Sequence, residues 1–218
     1  MYERQRAGGV SALIASATVI VGIVMFTTAL TDYVTGDPTA GESVAFLVDN
    51  EATIYIWNLV TLIVFSIALI PLALALNERL KDGSPAVART ATAFGVVWAG
   101  LLIAAGMILN IGSGVIIDLY ATAPAQAESL WLAVDSVGNG LSGGMEIVGP
   151  LWVLLVSWGA LKAEVLPRAL SYLGIVCSVA GLATIVPALE EVGVVFGLGL
   201  IVWLAWLGIE MLRGNPAA

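Results

Sequence analysis

Asp135, Asn139, Ser142 and Glu146 are the residues whose types and spacing could do chemistry in this chain. At 100° per residue they share a ~60° sector of one helix, so two carboxylates, an amide and a hydroxyl line a single face. The stripe descends about three turns, or ~16 Å at 1.5 Å per residue, with Asp135 expected near the outer interface and Glu146 near mid-membrane. Glu146 stands in a run over residues 130–160 that is otherwise almost entirely apolar or small. A carboxylate at the centre of a spanning helix costs ~2.5 to 3.5 kcal/mol, so such groups face a bundle interior or a watery cavity. With no Lys, Arg or His expected at its depth, Glu146 should be protonated when the site is empty or ionised beside a bound cation, because burial disfavours the lone charge. Asn58 and Asn110 on neighbouring spans complete the candidate ligand or ion-binding set, with Thr61, Ser113 and Asp118 as further polar neighbours. The competing explanation is structural: hydrogen bonds between helices, each worth ~0.6 to 2 kcal/mol in membranes, would satisfy the same groups. Asp135 and Glu146 are too far apart along the helix to share one reaction centre, so no catalytic residue is assigned.

The elements that must position this stripe follow from composition. Hydrophobic residues make up 60% of the chain and charged residues 11%, in continuous runs long enough for spanning helices rather than the short alternating segments of a barrel. The expected fold is all-α: a polytopic integral membrane protein, one bundle of six transmembrane helices over about residues 8–30, 52–76, 86–120, 130–161, 167–187 and 192–212. Ser84-Pro85 reads as the start of the third span, and Pro71 and Pro150 as kinks in the second and fourth. The one sizeable outer loop, residues 32–50, carries an apolar patch over 44–48 that could form a short interfacial helix. A short connection at 187–191 makes the last two spans an antiparallel hairpin.

Charge sets the orientation. Arg4, Arg6, Arg79, Lys81, Arg89, Lys162, Arg168 and Arg213 all fall on one side of a six-span layout, and the opposite loops hold acids alone, so both termini are expected in the cytoplasm. Glu210, three residues before Arg213, is in position for a pair at the end of the sixth span. Histidine is absent, which removes haem ligation, imidazole-held metals and Ser-His or Cys-His nucleophiles. No metal site and no cofactor are expected. No lysine sits at membrane depth for a Schiff base, and the single cysteine, Cys177, reads as a packing residue. A net charge of −8 excludes nucleic acid as a partner.

The segments Leu151-Trp152-Val153-Leu154-Leu155-Val156-Ser157-Trp158-Gly159-Ala160-Leu161 and Val165-Leu166-Pro167-Arg168-Ala169-Leu170-Ser171-Tyr172-Leu173-Gly174 resemble the fourth-to-fifth helix junction of the prokaryotic membrane family DUF4386. The resemblance is clearest over residues 146–187. It implies the six-span layout and supplies no activity. The reading is a multi-pass protein of the cell membrane whose outward-facing polar cavity around Glu146 binds or conducts a small cation, proton, small solute or lipid. The alternative is a non-catalytic accessory or assembly subunit of a membrane complex, paired with a second copy or a membrane partner protein. An intramembrane enzyme acting on a lipid-soluble substrate is the least favoured class, for want of a nucleophile or metal set.

Overall fold

The computed structural model describes residues 2–31, 38–143 and 147–213. Among them the secondary structure is helical throughout, with no strand. Helix α1 spans Tyr2–Thr28, α2 Ala40–Asp49 and α3 Glu51–Asn58, which passes through a π-helical turn, Leu59–Val64, into α4, Phe65–Leu80. Helix α5 spans Pro85–Tyr120, α6 Pro124–Ser142, α7 Val148–Ala163, α8 Arg168–Ala183, and a 3-10 turn, Pro187–Val192, leads into α9, Gly193–Arg213.

By length and apolarity, four described helical stretches can cross a membrane: Glu3–Thr28, Glu51–Leu80, Pro85–Tyr120 and Pro187–Arg213. Helices α7 and α8 are also apolar but have 16 residues each, ~24 Å at 1.5 Å per residue against a hydrocarbon core of ~30 Å. The protein is therefore an all-helical chain with several membrane-length apolar helices.

The continuous fourth span expected over residues 130–161 is instead two helices. Helix α6 stops at Ser142 because Gly143 takes φ 130°, a conformation that only glycine adopts without strain, and its N–H turns back to the Asn139 carbonyl at 3.2 Å. Pro150 accordingly sits in the first turn of a new helix, where its missing N–H costs nothing, rather than at a kink. Helix α4 runs through Pro71, and an irregular turn lies upstream of it, at Leu59–Val64. Pro85 does open the third long helix, and the patch at 44–48 does lie in a helix, α2.

The chain divides into two compact units, each drawn from several segments, so no linker separates them. The first comprises Met1–Val19, Phe65–Gly100 and Met145–Ala218. Its centre is a ladder of aromatic rings, Phe65 to Trp98 to Trp152 to Trp203, with centroids 5.3, 5.9 and 5.7 Å apart. Glycines let the helices close around it: a Cβ at Gly149 would meet the Trp98 ring at 2.6 Å, and one at Gly181 would meet the Phe196 ring at 2.9 Å. Cys177 is free, buried and packed against Gly199.

The second unit comprises Ile20–Val64 and Leu101–Gly144. Its apolar cluster, Leu30, Val44, Leu47, Ile54, Ile116 and Ala127, seats α2 against α6 and the end of α5. Thr39 and Glu42 form a capping box at the start of α2: the Thr39 side chain accepts the Glu42 N–H, and the Glu42 carboxylate accepts the Thr39 N–H at 2.8 Å. Charge divides unevenly between the units. The second holds eight of the 16 acidic residues and none of the eight basic ones, so the whole net charge of −8 belongs to it, while the first is balanced.

Candidate functional site

Helix α6 begins at Pro124, whose ring suits the first helical position, and presents Val134 and Gly138 to α5. A Cβ on Gly112 of α5 would meet Val134 Cγ2 at 2.9 Å, and one on Gly138 would meet Leu109 Cγ at 2.7 Å, so the two backbones approach closely at both levels. Asp135 and Asn139 each follow one of these interface residues in sequence, which rotates them by ~100° to the flank of the contact. There they meet: Asn139 Nδ2 donates to Asp135 Oδ2 at 2.9 Å, with Asp135 half-buried and Asn139 exposed. Ser142, half-buried, closes the helix on the same face.

The final turn of α6 adds acceptors that the amino-acid pattern hides. A helix ends with four carbonyls lacking intrahelical donors, and Gly143 serves one of them, that of Asn139. The C-terminus of α6 thus carries the negative end of the helix dipole beside Ser142, with no basic residue in its last turn. Glu146 lies four residues beyond this end in the chain and outside the described residues.

Asn58 and Asn110 form a second, separate pair. Asn58 is 3% exposed and donates through Nδ2 to Asn110 Oδ1 at 3.1 Å, while Asn110 Nδ2 donates to the Tyr55 carbonyl at 3.4 Å. The pair therefore pins α5 to the last turn of α3, where regular helix gives way to the π turn. Helix α1 braces the same turn: Trp57 Nε1 donates to the Gly22 carbonyl at 3.1 Å, and Thr61 Oγ1 donates to the Trp57 carbonyl at 2.7 Å. No described hydrogen bond joins this pair to Asp135 and Asn139, so the five expected site residues that are described resolve into a stripe on α6, of Asp135, Asn139 and Ser142, and an amide staple between α3 and α5. The π turn was missed in the sequence because nothing in Leu59–Val64 marks it; the interruption after α6 did leave a signal, the doublet Gly143-Gly144.

Outside the apolar helices, Glu42 is a group whose ionisation the structure perturbs. Hydrogen bonds from the Thr39 backbone N–H and hydroxyl hold its carboxyl below the ordinary glutamate range.

The family model for a domain of unknown function, DUF4386, matches residues 7–210. The chain belongs to the DUF4386 family. That match takes in both units and all the candidate residues, so the stripe on α6 and the amide staple are features of a DUF4386 domain rather than of an appended segment. No curated protein and no solved structure matches the chain.

Proposed function

We propose that this DUF4386 protein is a six-span membrane protein of the cell membrane, with both termini in the cytoplasm, that binds a small cation or a proton through the stripe on α6. In this topology residues 130–161 supply one crossing and residues 167–187 another, beside the four longer stretches. The observation that carries the reading is the ending of α6 inside a run that is otherwise apolar: non-helical backbone at membrane depth is tolerated only where protein or a water-filled cavity satisfies it. Interrupted helices place carbonyls at the end of a half-helix, where they coordinate cations.

Three further facts support a cation over an anion or a neutral solute. The unit that holds Asp135 has a formal charge of −8 and no basic residue. Asp135, Asn139 and Ser142 offer oxygen atoms on one helix face, and the next acid in the chain is Glu146. Oxygen donors of this type suit hard cations. Asn58 and Asn110, already paired with each other, serve as the support that holds α3 against α5 rather than as ligands.

Isothermal titration of the purified protein with sodium, potassium, calcium and protons tests this. Binding of one of these cations that is lost in Glu146→Gln and weakened in Asp135→Asn, with expression and helicity unchanged, is the expected result. Unchanged binding in both variants rejects the stripe as the site. A second chain that co-elutes in mild detergent, with no cation response, supports the accessory-subunit reading instead.

A further inference from the structure

We draw no further inference here: the strongest candidate, the side-chain cluster in the core of the first unit where the Ser157 hydroxyl of α7 and the Trp203 indole of α9 both close on Gly174 of α8, is fully buried, and nothing in the structure shows an opening to it or a ligand that it would hold.

Discussion

The two units solve the packing problem differently. The first is electrically balanced and built around aromatic rings, with Trp152 and Trp203 fully buried among glycines that bring the backbones together. The second carries the entire net charge, and polar contacts join its helices: the Asn58–Asn110 staple and the Trp57 indole on Gly22. An aromatic core gives stability through area and close packing, whereas a polar-stapled, anionic unit keeps groups available to bind. Stability should therefore be concentrated in the first unit and ligand response in the second.

Removing the centre of the ladder is the hardest blow to that contrast. Trp152→Ala should cost about 3 to 5 kcal/mol by the scale of large-to-small core substitutions, read from unfolding in mixed detergent. A loss below about 1 kcal/mol would show that the ladder does not anchor the first unit. Glycine substitutions sharpen the comparison. Gly149→Ala drives a methyl into the Trp98 ring and should cost about 1 to 3 kcal/mol, while Gly140→Ala on α6, where nothing lies within 4 Å, should be neutral or stabilising by up to about 1 kcal/mol. Similar costs at both positions would erase the distinction. The amide staple comes next: Asn110→Ala should cost about 0.6 to 2 kcal/mol and speed hydrogen exchange of α3 around the π turn.

The smallest effect is on α2 and is set by pH. The Glu42 carboxyl is held below its unfolded value by Thr39, so its contribution is present above the ordinary glutamate range and is lost as pH falls through the lowered value. Local exchange of the α2 amides should rise on acidification through that window, and Glu42→Gln should flatten the response. An acid response equal in both proteins would remove Glu42 as its origin.

Much of this architecture was legible because it rests on local patterns. Long apolar runs mark α1, α4, α5 and α9, and Pro85 marks a start. The amide pair was foreseeable as a hydrogen-bonding alternative, but its partner choice depends on how α3 and α5 rotate against each other, which no periodicity encodes. Gly143 and Pro150 were read as features of one bent helix because both a kink and a break use the same residues; the φ of Gly143 decides for a break. The partial burial of Arg79 was invisible for the opposite reason: from sequence it looks like any other basic residue near a helix end.

The most direct test of the central claim, that the stripe following α6 binds a cation or proton, is infrared difference spectroscopy of the reconstituted protein on changing pH or cation. The account predicts a carboxyl band that shifts with one of these and disappears in Glu146→Gln. A spectrum with no responsive carboxyl band, or one that persists unchanged in that variant, would contradict it.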